Sequence, residues 1–285
     1  IKVCMGEACR SRGAANVFQG LKDDGKNVDM IHCTGRCACG PITIENGTLP
    51  SPVGRTGTAN GRAFFVSSDT TSLELGSENI AKRLLELIGK DDSLVRTGSR
   101  GLFHLEPMIE VEVNEERVAF GPIEVDEVES VFTAIEEGGF EKHEKFLGTV
   151  AELDLMKSQT RLAMDRLGER HPNDLEGMKG IGAYAGLTKA REIGPEGILK
   201  SIEKAGLRGR GGAGFPAHFK WNAAAKENSL VKYVVANADE GDAGTFIDRM
   251  IIEGDPHALI EGMLIVAEAI GATYGHVYLR SEYPE

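Results

Sequence analysis

The chain has 285 residues, a net charge of −12, and 27% charged against 41% hydrophobic residues. That length can bury more than one core, and that balance excludes a disordered or fibrous chain. The acidic excess argues against a nucleic-acid partner, which needs clustered Lys and Arg, and no apolar run approaches the roughly eighteen residues of a membrane span.

The N-terminal stretch IKVCMGEAC has no signal-peptide pattern, although it also has no initiator Met, so a few residues are expected to be missing before it. All five cysteines, Cys4, Cys9, Cys33, Cys37 and Cys39, lie within the first 39 residues. So few, so clustered, they do not make a secreted disulfide framework, and the expected compartment is the cytoplasm. Around them the pattern predicts a strand (IKVC), a helix (SRGAANVFQGLKDD), a strand (NVDMIHC), a cysteine-bearing loop and a strand (PITIEN). A Gly/Pro/Thr-rich stretch, residues 47–62, reads as a loop or linker.

The pattern then starts again. FFVSSDTTSLELGSENIAKRLLEL aligns with the first strand and helix at an offset of 63, placing Val3 on Val66, Gly13 on Gly76 and Leu21 on Leu84. TGSRGLFHLEPMIEV aligns with the cysteine loop and the strand after it at an offset of 66, placing Gly35 on Gly101 and Pro41 on Pro107. Cys4, Cys9, Cys33 and Cys37 become Ser67, Ser72, Ser99 and Phe103. The second copy continues with the strands MIEVEV and RVAFG and the helix EVDEVESVFTAI, a helix the first copy lacks. A repeat that keeps its ligands in one copy alone implies that the fold does not depend on them.

The cysteines read C-x4-C, then C-x3-C. Zinc pairs are usually closer, because a short turn presents both sulfurs to one ion. The wider spacing suits two irons bridged by sulfide, one cysteine pair on each iron, with zinc and thiol chemistry as alternatives. His32 is a conceivable further ligand and Cys39 reads as a spare structural thiol. The pattern C-x4-C followed by C-x-G-x-C-x3-P resembles the thioredoxin-like 2Fe–2S ferredoxins, which implies a cluster on Cys4, Cys9, Cys33 and Cys37.

Beyond about Lys142 the composition changes. Two amphipathic helices are expected, VAELDLMKSQTRLAMDRLGER and PEGILKSIEKAGL, leading to RGRGGAGFPAHFKW. Its G-x-G-x-x-G is a weak signal alone and follows a helix, so a standard Rossmann turn is excluded. Bare backbone amides flanked by Arg208, Arg210 and Lys220 suit an anion, the alternative being a flexible surface loop. Next, KYVVAN reads as a buried parallel-type strand running into NADEGDAGT, whose acidic acceptors at a strand end suit sugar hydroxyls and ring N–H groups. ALIEGMLIVAEAIGA reads as a mostly buried helix, and GHVYLRSEYPE as a strand ending in Arg280, Glu282 and Tyr283.

These three stretches resemble the family of NADH-oxidising flavin subunits of complex I, whose G-R-G-G-A-G-F-P-x-G-x-K-W loop, N-A-D-E-G-x-x-G-T turn and Y-x-R-x-E-Y-P strand end enclose FMN and NADH. The resemblance spans roughly Met156 to Glu285. It implies that Gly209, Arg210, Gly211, Gly212 and Lys220 line the FMN phosphate and ribityl side, and that Asn237, Asp239 and Glu240 bind the flavin. It implies further that Phe215 stacks on the NADH adenine, that Asp242 contacts NADH, and that Tyr278 and Glu282 complete flavin and nicotinamide positions. No side chain is expected to be catalytic in its own right; Glu240 is an orienting group. The departures are His218 for a glycine, which adds bulk beside the loop, and Ala243 for a proline.

TGSRGLFHLEPMIEVE and VAFGPI resemble the N-terminal domain of the β subunit of soluble NAD-dependent formate dehydrogenases, with a γ-like 2Fe–2S domain fused in front. The expected architecture is α/β (α+β): a thioredoxin-like 2Fe–2S domain over 1–60, a thioredoxin-like domain without ligands over 61–142, and the N-terminal part of an FMN/NADH-binding domain over 143–285. The implied function is a diaphorase subunit passing electrons between NAD(H), FMN and iron–sulfur clusters. Its partners would be iron–sulfur subunits and a catalytic molybdenum or tungsten formate dehydrogenase subunit. Alternatives are the diaphorase of an NAD-reducing or bifurcating hydrogenase, or a non-catalytic cluster carrier. Family chains run on past EYP, so a fragment is expected, with a 4Fe–4S site only in sequence beyond residue 285.

Overall fold

Phe64, Phe65 and Val66 are apolar in succession, the mark of a strand covered on both faces. They form β4 (Ala63–Ser67), and all three side chains are buried. The computed structural model describes residues 2–4, 14–31, 43–44, 54–58, 61–242, 244–281 and 283. In it the chain divides into two compact units, one of residues 1–171 with 281–285 and one of residues 172–280.

In the first unit β4 lies inside a five-stranded sheet. It pairs in parallel with β5 (Ser93–Thr97) and antiparallel with β6 (Ile109–Val113). The hairpin then continues to β7 (Glu116–Phe120) and β8 (Phe146–Thr149), giving the order β5-β4-β6-β7-β8. Two short helical segments, α2 (Thr70–Glu74) and α3 (Ser77–Leu87), carry the chain from β4 to β5, and α4 (Val128–Glu137) follows β7. Ile80, Ala81 and Leu84 on α3, with Val128, Val131 and Ile135 on α4, recur at three- and four-residue spacing and bury one face of each helix on Phe64, Val66, Ile109, Val111 and Phe120. A parallel β-α-β unit with an antiparallel hairpin beside its first strand and a closing helix is the thioredoxin-like order, so the α/β class is as expected. The sheet runs past the expected boundary at residue 142, since β8 pairs with β7.

The first copy shows its strands: β1 (Lys2–Cys4), α1 (Ala14–Asp23), β2 (Asp29–Ile31) and β3 (Thr43–Ile44), with sheet order β2-β1-β3. The offsets read from the sequence also relate the two registers. Val3↔Met30 and Cys4↔Ile31 in the parallel pair correspond to Val66↔Arg96 and Ser67↔Thr97. Lys2↔Ile44 in the antiparallel pair corresponds to Phe65↔Glu110.

The described part of the expected loop, irregular as read, lies along the second sheet: Arg55 bridges Leu94 and donates to the carbonyls of Ile88, Gly89 and Asp92. One expectation is corrected in this unit. The helix expected over 150–170 is confined to α5 (Asp154–Lys157). Its remainder runs in turns, where the carbonyls of Leu167 and Gly168 accept from Arg100, and Gly168 again from Arg117.

The second unit contains α6 (Leu175–Gly180), α7 (Ala185–Ala205), α8 (Ala217–Lys226), β9 (Tyr233–Ala238), α9 (Ile247–Gly254), α10 (Pro256–Ile270) and β10 (Tyr274–Leu279). Helix α7 breaks at Gly194, whose φ of 68° precedes Pro195, so the sequence-predicted helix from Pro195 is its second half. Ala190, Ile198, Val234, Ala269 and Ile270 form the small core, with Trp221 and Ile202 packed on it. Helix starts and ends are closed by side chains from elsewhere. The Glu261 carboxylate accepts from the amides of Tyr184 and Leu187 at the start of α7. Lys232 Nζ donates to the carbonyls of Ala225 and Ile270 near the ends of α8 and α10. Both strands expected from the sequence form, and β9 and β10 pair in parallel, but β9 is not buried as expected: Tyr233 and Val235 are exposed, as are Tyr274 and Val277 on β10.

Candidate functional site

The glycine loop is closed at its neck. Gly209 N donates to Phe215 O at 2.9 Å, Ala217 N to Leu207 O at 2.8 Å, and Arg208 Nη1 to Gly214 O at 3.0 Å. Across the bend the amides of residues 210–214 donate to no acceptor among the described residues. Gly212 and Gly214 adopt φ of 99° and 60°, which glycine does without a Cβ penalty. Successive amides without an acceptor, with Arg210 and Lys220 nearby in sequence, are the donor chemistry an anion takes, so the residues present fit a phosphate.

Phe215 is half exposed, with Lys220 Nζ 5.7 Å from its ring centroid and Phe219 at 6.1 Å. The His218 ring, in the first turn of α8, lies 4.1 Å from the Phe219 ring at a tilt of 36°; its Nδ1 is buried without a protein partner among the described residues, and the neck bonds form beside it.

The acidic turn begins at the C-terminal end of β9. Parallel register sets Asn237 opposite Tyr278 and Ala238 opposite Leu279, so Asn237–Asp242 and Tyr278–Arg280 leave the same end of the strand pair. Asn237 Oδ1 accepts from Asp239 N at 2.9 Å, and Asp242 O accepts from both Thr245 N and Thr245 Oγ1. The carboxylates of Asp239 and Asp242 and the ring of Tyr278 are exposed, and neither carboxylate has a partner among the described residues.

Glu240 differs from its neighbours. It is 6% exposed, and its two oxygens accept from the amides of Asp248 at 3.0 Å and Arg249 at 3.3 Å, at the start of α9. Arg280 donates to its backbone carbonyl. The carboxylate expected to face the flavin is thus turned inward as a helix cap. Beside it, burial and the Glu240 charge raise the pKa of Asp248 above the usual carboxylate value. Sequence signals give Arg280 and Asp248 no role beyond adjacency to the motifs. Glu282 lies outside the described residues, as do Cys9, Cys33, Cys37 and Cys39, and Cys4 is described only as the last residue of β1. Among the described residues no His, Cys, Asp or Glu group is arranged to hold a metal ion.

The second copy shows what the serines at the aligned positions contact. Ser67 and Ser99, aligned with Cys4 and Cys33, both donate to Glu106 Oε1, at 3.1 and 2.7 Å. Ser72, aligned with Cys9, donates to Asp69 Oδ2. Two serines near the β4–α2 corner and a third some thirty residues on in sequence therefore converge on one buried carboxyl pair.

Residues 202–285 match the family described as Nuo51 FMN-binding domain. Among curated relatives, the chain is 44% identical over 128 residues to HndC, a subunit of the NADP-reducing hydrogenase of Solidesulfovibrio fructosivorans, covering 45% of this chain and 26% of that one. It is 52% identical over 103 residues to a subunit of the NADH-quinone oxidoreductase of Aquifex aeolicus, covering 36% of this chain and 24% of that one. The chain thus spans about a quarter of the length of these relatives. A solved NAD+-reducing [NiFe]-hydrogenase aligns over 80% of this chain and 39% of its own, at 25% identity and a TM-score of 0.35. The C-terminal part of this chain is thus similar in sequence to the Nuo51 FMN-binding domain and to parts of these oxidoreductase and hydrogenase subunits.

Proposed function

We propose that this chain is the NAD(H)-facing diaphorase part of a cytoplasmic, multi-subunit oxidoreductase that passes electrons between NAD(H), FMN and iron–sulfur clusters. The observation that carries the reading is the run of unpaired amides at 210–214 beside Arg210 and Lys220, within the segment that matches an FMN-binding family. Bound there, FMN supplies the conversion between a two-electron hydride and single electrons.

The chain's own residues bind and orient. Gly209, Gly211 and Gly212 leave room for close approach, and Arg210 and Lys220 supply positive charge to the phosphate. Asn237 and Asp239 offer acceptors to the ribityl chain and ring, Phe215 an open aromatic face to the adenine, and Asp242, Tyr278 and Glu282 further contacts to the nucleotide. Glu240 acts by holding the acidic turn. At the other end of the chain, Cys4, Cys9, Cys33 and Cys37 hold a 2Fe–2S cluster in a domain over 1–60, ahead of the cysteine-free copy, whose sheet continues through β8, and the FMN/NADH-binding domain. The convergence of Ser67, Ser72 and Ser99 supports that ligand set.

The partner we favour is a molybdenum or tungsten formate dehydrogenase subunit, on the likeness of the cysteine-free repeat. The likeness to a subunit of an NADP-reducing hydrogenase supports a hydrogenase partner as the second reading. The test is to purify the chain in its native complex and measure released FMN, iron, NAD(P)H-dependent dye reduction, and molybdenum, tungsten and nickel. Flavin with dye reduction is expected, and lack of both overturns the proposal; molybdenum or tungsten supports the first partner and nickel the second. Replacing Arg210 and Lys220 together by Ala should weaken FMN binding by about tenfold or more, the worth of a charge-assisted phosphate contact.

A further inference from the structure

Ser67, Asp69, Ser72, Ser99 and Glu106 are all buried, with Glu106 4% and Asp69 5% exposed. Two carboxyl groups therefore share one pocket. Among the described residues neither is hydrogen-bonded to or ion-paired with a Lys, Arg or His. Asp69 is fully used. Its Oδ1 accepts from the amides of Thr71 and Ser72 at the start of α2, and its Oδ2 from Ser72 Oγ. Glu106 Oε1 is used by the hydroxyls of Ser67 and Ser99. Glu106 Oε2 is buried with no hydrogen-bond partner. An ionised carboxylate left in this way, beside a second negative group, carries the full cost of an uncompensated buried charge.

We propose that Glu106 is the proton-binding site of a latch joining the end of β4, the start of α2 and the β5–β6 connection, closed when the carboxyl is protonated and loosened when it ionises. One open oxygen suits a proton, whereas a hard metal ion needs several oxygen donors at once, and the others here are already receiving hydrogen bonds. Of the groups around Glu106, Ser67 from β4, Ser72 from α2 and Ser99 from the β5–β6 connection are neutral. The charged one is Asp69, on the β4–α2 corner.

Burial first, and the Asp69 charge second, push the Glu106 pKa up to about 7, against the opposing pull of the three hydroxyls. Because the folded-state value lies above the ordinary 4.5, the folded chain holds the extra proton. The latch is then fully closed below that ordinary value and is lost as pH rises through about 7. Each pH unit inside that window multiplies opening by up to about tenfold.

The test is hydrogen exchange on the full chain at pH 5, 7 and 8.5, corrected for intrinsic exchange, following peptides over 64–75 and 98–108. Protection there should fall by on the order of a hundredfold across the series, and Glu106→Gln should flatten the profile. A flat profile in the unaltered chain, or an equal fall in Glu106→Gln, overturns the proposal. Should Glu106→Gln fail to fold, Asp69→Asn removes the neighbouring charge but keeps an acceptor for the helix amides. The midpoint must then move to lower pH, and an unmoved midpoint overturns the latch. Restored protection at pH 8.5 on adding Mg2+ or Ca2+ would assign the pocket to a cation and overturn the proton reading.

Discussion

Within NADEGD, Glu240 points into the fold while Asp239 and Asp242 face solvent. Composition cannot distinguish three neighbouring acids; the amides at the start of α9 do, because a buried helix start must find acceptors and Glu240 is the acid within reach. Glu240→Ala leaves those amides unpaired and should destabilise the second unit by about 1–3 kcal/mol, with Glu240→Gln intermediate, measured by denaturant unfolding. Asp239→Asn and Asp242→Asn should leave stability unchanged and affect nucleotide binding alone. The same logic marks Arg280, which reads in the sequence as one more residue of a motif and in the fold as a donor to the Glu240 carbonyl.

At the scale of elements, the connection after α5 shows how tertiary partners override helical periodicity. Arg100 is buried and pairs with Glu110 at 2.9 Å and Glu169 at 2.7 Å. Its other donors reach the carbonyls of Leu167 and Gly168, and Arg161 donates to the Arg100 carbonyl. Arg117 lies over the Phe65 ring at 3.5 Å and adds a second guanidinium to Glu110 and Gly168. Arg100→Met leaves the buried Glu110 carboxylate with only the longer Arg117 pair among the described residues and should cost about 3 kcal/mol in denaturant unfolding. Arg100→Lys should recover little of it, because an ammonium cannot make the forked contacts. Gly168→Ala should also destabilise: a Cβ there meets the Arg100 side chain at 2.5 Å, at a φ of 81°. The strands were more legible than this connection, since Ile109–Val113 alternates apolar and acidic residues and Tyr233–Ala238 opens on an apolar run.

For the whole molecule, the two copies of one β-α-β-β pattern share their registers while differing in what occupies the ligand positions. Serines stand at three of those positions in the second copy, so its sheet packs without cysteine there. Replacing Cys4, Cys9, Cys33 and Cys37 together by Ser should abolish bound iron without lowering bound FMN or the unfolding midpoint of the second copy. Iron analysis, flavin fluorescence and calorimetry check it. The sequence by itself determined the repeat and its offsets, the α/β class, the glycine loop and the acidic turn, because these follow from local spacing and backbone permissiveness. Only the tertiary structure decided which acids face inward, that residues 158–171 are strapped and not helical, and that Ser67, Ser72 and Ser99 enclose a carboxyl pair. Those outcomes depend on which distant groups must satisfy one another once water is excluded, and sequence spacing carries no record of that.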